Sequence, residues 1–311
     1  MEILFINIFS EVVCMNELLK RCVICPRKCE INRYEKKGVC GATNKVRLAY
    51  YSLHKWEEPV ISGNNGSGTI FFSNCNLKCI YCQNKKISLD GYGKYISNKK
   101  LREIILKLQE MGAHNINFVT PTHYVPQIAS ILHKIKFNEL KIPVIYNTSS
   151  YENIGTLKMM SNLVDIYLAD LRYFDDELGK KYSMCENYFE IATMAIDEMY
   201  RQVGKFQLDS DGLLKKGLVV RVLILPNHAR DAKEIINYLY KTYGDDIYIS
   251  IMNQYTPINN CKYDNLNRKI TDEEYDEVID FAVAIGVKNA FIQEGDTANE
   301  SFIPKFDCSK I

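Results

Sequence analysis

The sequence carries almost no net charge: 39 lysines and arginines balance 38 aspartates and glutamates, which leaves a formal charge of +1 on 311 residues. This balance argues against a general nucleic-acid or membrane-surface role, although it leaves local patches open. Internal repeats, low-complexity tracts and long charge runs are also lacking, so we expect no second large domain. With 47% apolar residues, the chain can form a sizeable core.

A long apolar run is missing as well. The opening residues 1–9 are apolar, but they are few, they lack a basic region, and Glu11 follows closely. The segment is therefore a poor secretory signal and is too short to span a membrane. Met15 is an alternative start, which would leave the preceding residues as an extension.

Cysteine, by contrast, is plentiful. The eleven cysteines are an odd number and include two tight clusters, and no secretory signal precedes them. Disulfide scaffolds belong to oxidising compartments, so this usage indicates bound metal in a reducing one. We therefore expect a cytoplasmic protein, with neither nucleic acid nor membrane as a partner.

One cluster places Cys75, Cys79 and Cys82 within eight residues. The β-branched and aromatic residues 69–72 precede it and predict a strand that leads into a loop. A loop this short can turn three sulfurs towards one point. Three thiolates suit a four-iron cluster with one open iron better than tetrahedral zinc, which needs a fourth ligand close by. Buried free thiols and a zinc knuckle remain the alternatives.

The x3 and x2 spacing of these cysteines, with Tyr81 before the last one, resembles the signature of the radical S-adenosylmethionine (SAM) superfamily. The flanking residues 66–72 and 83–84 look more narrowly like the pyruvate formate-lyase activating enzyme-like branch, in its uncharacterised iron-sulfur homologues. One departure is Asn74, because that branch usually has glycine before the first cysteine. Asparagine tolerates a positive φ better than most residues, so we expect an intact loop.

The other cluster lies near the N-terminus, with x2, x3 and x10 spacing. Its members are Cys22, Cys25, Cys29 and Cys40. Together with the backbone bends expected at Pro26 and Gly38, they can close a tetrahedral shell around a second metal, either zinc or an auxiliary iron-sulfur cluster. A structural metal is the favoured interpretation, and unrelated free thiols are the alternative. Residues 46–53 predict a strand or hairpin that packs this lobe onto the main domain.

Downstream of residue 82, strand-like and helix-like segments alternate. Asn98 predicts a helix N-cap, with apolar residues at helical spacing until Gly112. Strands are predicted at residues 116–120, 143–146, 166–170, 218–225, 248–252 and 290–292. Helices are predicted around residues 101–111, 128–135, 153–160, 187–203, 235–240 and 275–282. Repeated β-then-α units indicate a parallel sheet, so we predict an α/β fold with a partial or full (β/α) barrel.

We therefore divide the chain into residues 1–63, an N-terminal extension with a cysteine-rich metal lobe, and residues 64–311, a radical SAM barrel with a C-terminal tail. In such barrels ligands lie over the carboxyl ends of the strands. We expect the N-terminal lobe to cover or support the mouth of the barrel at the carboxyl ends of the strands.

The resemblance implies a SAM site built from residues at these strand ends. The residues implied to bind the cofactor are Tyr81, Asn84, Thr120, Thr122, Asn147, Thr148, Asp170, Arg172 and Arg221. Tyr81 would lie beside the adenine, and Arg172 replaces a lysine of the family, which keeps the charge but not the geometry. Taken singly, each residue could instead have a purely structural role, such as an ion pair between Asp170 and Arg172.

Weaker candidates lie nearby. His123, His228 and Tyr255 are candidates for substrate contacts. Residues 54–63 combine His54, the only tryptophan and two acids, and they form either a site or ordinary packing. Residues 294–296 are interpreted as a turn rather than a closure of the mouth.

The activity implied by the resemblance is reductive cleavage of SAM at a [4Fe-4S] cluster. A one-electron donor such as flavodoxin or ferredoxin would supply the electron, and the 5′-deoxyadenosyl radical would abstract hydrogen from a protein substrate. Formation of a glycyl radical is one version of this step. Modification of a small molecule or peptide is one alternative. A non-catalytic iron-sulfur or zinc protein is the other.

Overall fold

The structure, a computed structural model, describes residues 17–257, 261–293, 304, 306–308 and 311. The strands are β1 (Val46–His54), β2 (Ser67–Phe72), β3 (Lys94–Ile96), β4 (Ile116–Val119), β5 (Val144–Thr148), β6 (Ile166–Asp170), β7 (Gln207–Leu208), β8 (Leu214–Leu223), β9 (Tyr248–Met252) and β10 (Ala290–Ile292). The α-helices are α1 (Pro59–Ser62), α2 (Lys85–Ser88), α3 (Asn98–Glu110), α4 (Val125–Ile135), α5 (Ile154–Lys158), α6 (Asp176–Ser183), α7 (Tyr188–Val203), α8 (Ala229–Tyr243) and α9 (Asp272–Ala284). In the described part of the chain, no helix is both long enough and apolar enough to cross a bilayer.

One mostly parallel sheet organises these elements, in the order β10-β9-β8-β6-β5-β4-β2-β1-β3. Every pairing from β2 to β10 along this path is parallel. β1 lies antiparallel between β2 and β3, and β7 adds an antiparallel edge to β8. β10 and β2 are not paired with each other in the described residues, so the sheet is an open, partial barrel. The predicted α/β fold is confirmed.

The longer helices cover the outer face of the sheet because each presents an apolar stripe. In α3 this stripe consists of Leu101, Ile104, Ile105 and Leu108, all buried. The helix does not use Asn98 as its N-cap. Ser97 has the extended backbone of a cap and its side chain accepts the Lys100 N–H, whereas Asn98 is already helical. The predicted cap was therefore wrong by one residue.

The inner face follows from the two-residue period of a strand. Its lower layer is apolar and packs against Ile61 of α1; the sheet residues in this layer are Ile145, Ile166, Leu168 and Val219. Nearer the carboxyl ends of the strands, the residues on this same face are Asn147, Asp170, Arg221 and Ser250. Polar side chains thus replace apolar ones along the same face as the strands approach their carboxyl ends.

The N-terminal lobe packs over the loops that follow β4 and β5. The buried Arg33 guanidinium donates to the His123 carbonyl at 2.6 Å, and the Thr156 hydroxyl donates to the Ile24 carbonyl at 2.6 Å. β1 already belongs to the main sheet, so the sheet begins before residue 64. The boundary between residues 63 and 64 stays a prediction.

Candidate active site

A cavity of about 370 Å³ lies against the inner face of the sheet. The predicted site residues that line it are Cys75, Cys79, Tyr81, Cys82, Asn84, Thr120, Asn147, Thr148, Asp170, Arg172 and Arg221. They come together because parallel strands end at the same edge of a sheet. Thr122 does not line this cavity. It is buried, and its hydroxyl donates to Glu152 at 2.6 Å.

The cysteine loop begins with a left-handed residue. Asn74 has φ +79°, which is the conformation that a glycine would adopt freely. Its backbone N–H donates to the Ile87 carbonyl at 2.8 Å, which ties the loop to α2. The expectation that asparagine supports this turn is confirmed.

This backbone geometry makes a prediction for Asn74. Asn74→Val should lower the free energy of unfolding by about 1–3 kcal/mol, because a β-branched residue resists positive φ. Asn74→Gly should cost less, because glycine adopts this φ freely. Urea unfolding of the metal-free protein measures both, with the exposed Asn138→Val as control. Equal losses for the valine and glycine variants would contradict the argument.

Each sulfur of the loop has a polar neighbour. The Leu77 N–H, the Ser183 hydroxyl and the Ser88 hydroxyl lie 3.4, 2.9 and 3.1 Å from the sulfurs of Cys75, Cys79 and Cys82, respectively. Burial, with the Cys79 and Cys82 sulfurs nearby, raises the pKa of the Cys75 thiol to about 12. The metal-free thiol is therefore neutral at pH 7, whereas the hydrogen-bonding neighbours suit sulfurs that carry charge in a metal cluster.

The number of sulfurs bears on the metal. Cys75, Cys79 and Cys82 line one cavity wall. A four-iron cluster can take three cysteines on three of its irons and leave the fourth iron open, whereas structural zinc needs four protein donors around one point. Three cysteines at one wall therefore suit such a cluster.

Two ion pairs give the cavity its charges. The Arg221 guanidinium donates hydrogen bonds to both carboxylate oxygens of Glu58, from Nε at 2.7 Å and from Nη2 at 2.6 Å. It also contacts the Glu57 carboxylate. Burial alone would raise the pKa of Glu58, but the Arg221 guanidinium holds it below its usual range. Asp170 and Arg172 form the second pair. These two residues therefore form the ion pair that was the alternative to cofactor binding. Both residues also line the cavity.

Tyr81 connects the cavity wall to the cysteines. Its hydroxyl lies 2.6 Å from that of Tyr173, which lies 2.6 Å from the Ser183 hydroxyl that bonds Cys79. Its ring packs at an angle against Tyr182 and Tyr255. The position beside an adenine stays a prediction.

Comparisons with known proteins agree with this geometry. The radical SAM superfamily model matches residues 69–206. An uncharacterized protein of Methanocaldococcus jannaschii is 31% identical over 281 residues, which cover 85% of this chain and 75% of the relative. The chain belongs to the radical SAM superfamily. The narrower pyruvate formate-lyase activating enzyme-like branch stays a prediction.

Solved structures align with this chain at low sequence identity. The [FeFe]-hydrogenase maturase HydG from Carboxydothermus hydrogenoformans aligns with a TM-score of 0.50 and 15% identity, over 74% of this chain and 54% of that one. SuiB of Streptococcus suis, bound to the precursor peptide SuiA, aligns with a TM-score of 0.49 and 14% identity, over 71% of this chain and 46% of that one. The chain thus spans about half the length of these solved structures.

The radical SAM domain implies a [4Fe-4S] cluster and SAM, and the residues present fit both. Cys75, Cys79 and Cys82 would hold the cluster and leave one iron open. A cavity with polar strand ends and both signs of charge suits a zwitterionic, sulfonium-bearing cosubstrate.

Sequence reasoning missed a buried carboxyl behind this radical SAM cavity. Glu152 accepts hydrogen bonds from Thr122 at 2.6 Å, from Thr148 at 2.5 Å and from Tyr146 at 3.3 Å. Burial raises the pKa of Glu152 to about 7, even though these bonds oppose the shift. Thr122 was predicted to bind the cofactor, but it supports the cavity wall from behind through Glu152 and does not line the cavity. A glutamate four residues after the polar end of β5 was the signal available in the sequence.

Glu152 should make folding depend on pH. Its folded pKa lies above that of the unfolded chain, so the native state holds an extra proton between about pH 4.5 and pH 7 and loses stability as the pH rises through that window. The loss should reach roughly 3 kcal/mol above pH 7. Urea unfolding across this range should give a flatter profile for Glu152→Gln than for wild type. Parallel profiles would contradict the argument.

The weaker candidates lie in different places. His123 and Tyr255 are buried against backbone carbonyls, to which the His123 Nε2 and the Tyr255 hydroxyl bond. His228 pairs with the Tyr182 hydroxyl at 3.0 Å. None of the three lines the cavity described above, whereas His54 and Trp56 do. Residues 294–296 lie outside the described residues.

Proposed function

We propose that this protein is a radical SAM enzyme that cleaves SAM reductively and abstracts a hydrogen atom from a protein substrate. When bound, the cluster and SAM supply a one-electron cleavage of the sulfonium that yields methionine and a 5′-deoxyadenosyl radical. A donor of the flavodoxin or ferredoxin class would supply the electron. Formation of a glycyl radical is the version that the family resemblance implies.

One observation carries this proposal. The three cluster cysteines share a single cavity wall with polar residues from four successive parallel strands, at Thr120, Asn147, Asp170 and Arg221. A protein that only stores or carries a cluster has no need for such a chamber beside it. The arrangement therefore favours an enzyme over the non-catalytic alternative.

The protein's own part is to orient the cosubstrate and to keep water out. Asp170 and Arg172 present a paired acid and base at the wall, which can bind the amino and carboxylate groups of an amino acid. Aromatic residues back the wall, with Tyr81 and Tyr173 buried. Enclosure of this kind limits quenching of a reactive radical and favours near-attack geometry.

The size of the cavity bears on the substrate. A cavity of about 370 Å³ lies at the small end of ligand sites, so the cosubstrate would take up most of it. A protein substrate would then extend a loop into the remaining mouth. Modification of a small molecule or free peptide is the second candidate, favoured by Trp56, which lines the cavity and is 64% exposed.

Anaerobic reconstitution tests the proposal directly. Reconstituted protein with dithionite and SAM should produce 5′-deoxyadenosine and methionine in equal amounts. An intact cluster without either product would favour the carrier instead. Electron paramagnetic resonance with and without SAM reports binding at the open iron independently of turnover.

A further inference from the structure

Part of the cavity wall comes from residues 54–63, for which the sequence left both a site and ordinary packing open. His54, Trp56 and Glu57 of this segment line the same cavity as the cysteine loop. Trp56 is 64% exposed and is the only tryptophan of the chain. A large aromatic ring at a cavity wall, with most of its surface accessible, can contact a bound molecule. The segment therefore contributes to the site and not only to the core.

The charges on the cavity wall do not balance. Among the described residues that line it, three carboxylates face two guanidiniums, and no lysine contributes. Asp170 and Arg172 pair with each other. Arg221 is thus the single cation for both Glu57 and Glu58, whose side chains are 8% and 5% exposed. Because a buried charge is costly unless it is paired, the wall has one carboxylate in excess that a cationic ligand can neutralise.

The excess charge lies on Glu57. Arg221 directs Nε and Nη2 at the two carboxylate oxygens of Glu58, and only Nη2 also contacts Glu57. The other oxygen of Glu57 accepts the Asn117 amide at 2.9 Å. Asn117 is fully buried, and its own Oδ1 has no hydrogen-bond partner among the described residues. A partly neutralised carboxylate and an amide oxygen without a donor thus lie side by side, which suits a ligand rich in N–H donors.

His54 adds no positive charge at this point. Burial lowers the pKa of its ring, although the Glu57 carboxylate opposes the shift, so the imidazole is neutral at pH 7. Its ring packs edge-on against Phe71, with 6.0 Å between the ring centroids. A neutral imidazole can accept a hydrogen bond from a cation, but it cannot replace one. The negative charge of Glu57 therefore persists next to the exposed indole of Trp56.

We propose that Trp56 and Glu57 form a substrate subsite that binds a primary ammonium group, such as that of a lysine side chain. The Glu57 carboxylate would pair with the charge, and the face of the Trp56 indole would attract the cation. An ammonium carries N–H donors and no acceptor, which matches Glu57, Asn117 and neutral His54. The amino acid part of SAM has its own pair in Asp170 and Arg172, so this ammonium belongs to another molecule. Its assignment as the substrate rests on the proposed function, whereas its binding does not.

Fluorescence of the sole tryptophan reports on this subsite directly. With the reconstituted full chain and saturating SAM, but no reductant, Nα-acetyl-lysine amide should change the Trp56 emission saturably. Nα-acetyl-norleucine amide lacks only the ammonium group and should bind at least about tenfold more weakly. Equal affinities, no binding of either probe, or competition between the lysine probe and SAM would overturn the proposal.

Glu57→Gln separates the effect of charge from that of shape. It leaves Arg221 paired with Glu58, so the fold should tolerate it. Affinity for the lysine probe should fall at least about tenfold, with the norleucine probe unchanged. The control is Glu110→Gln, an exposed position at the end of α3, which should bind both probes as wild type does. A Glu57→Gln protein that still prefers lysine would refute the role of Glu57. The comparison of the two probes on wild type decides even if this variant is unstable.

Turnover distinguishes this proposal from the proposed function. The same protein is assayed for 5′-deoxyadenosine after dithionite is added. If it prefers the lysine probe but produces none, the proposed function fails while the ammonium site stands. If it produces 5′-deoxyadenosine but binds both probes alike, the subsite alone is lost.

Discussion

Cys79→Ala is expected to abolish both the iron-sulfur absorbance of the Cys75 set and the production of 5′-deoxyadenosine. The Cys79 sulfur is buried and accepts a hydrogen bond from the Ser183 hydroxyl. With two ligands the open-iron site cannot form. We expect product formation to fall at least about a thousandfold, measured by chromatography after anaerobic incubation with SAM and dithionite.

Cys261→Ala is the matched control for this experiment. It removes a half-buried thiol that does not line the cavity, so absorbance and turnover should match wild type. If Cys79→Ala keeps 5′-deoxyadenosine production, the site is not the cluster site. If it loses product but keeps a normal spectrum, Cys79 acts in some other way than as a ligand.

The sequence predicted several strands at their correct residues. β10 matches the predicted residues 290–292, although it is only partly buried. β6 and β9 match the predicted residues 166–170 and 248–252, and both are almost entirely buried. Near-continuous apolar runs leave little freedom in where such a strand lies. Termini were harder to predict: the capping residue of α3 is Ser97 rather than Asn98, since either side chain can cap and only the backbone conformation decides.

The site was predictable in part for a related reason. Polar residues at strand ends interrupt an apolar pattern of period two, so Asn147, Asp170 and Arg221 stand out in the sequence. Their partners do not. Arg221 is 163 residues from Glu58, and the Glu152 network joins residues of two different strand ends. Contacts of this range depend on how the sheet curves and on where α1 packs, which local patterns do not determine.

Arg221→Gln is expected to destabilise the protein by about 3–5 kcal/mol at pH 7. The side chains of Glu57 and Glu58 are only 8% and 5% exposed, and each loses a charged partner. Uncompensated buried charge costs far more than a broken surface pair. Urea unfolding of the metal-free protein measures the loss, with Arg102→Gln as control, because its pair with Glu139 is 40% and 41% exposed and should cost at most about 1 kcal/mol.

The pH dependence separates this mechanism from lost packing. In wild type the Glu58 pKa is lowered, so its contribution is present above the ordinary carboxyl pKa and is lost only as the pH falls through the lowered value. Without Arg221, burial should raise the pKa of Glu58, so the variant regains stability relative to wild type between pH 7 and pH 5. Glu57→Gln/Glu58→Gln/Arg221→Met should recover most of the loss, because it leaves no charge unpaired. A deficit that is constant with pH, or no larger than that of Arg102→Gln, would contradict the role given to Arg221.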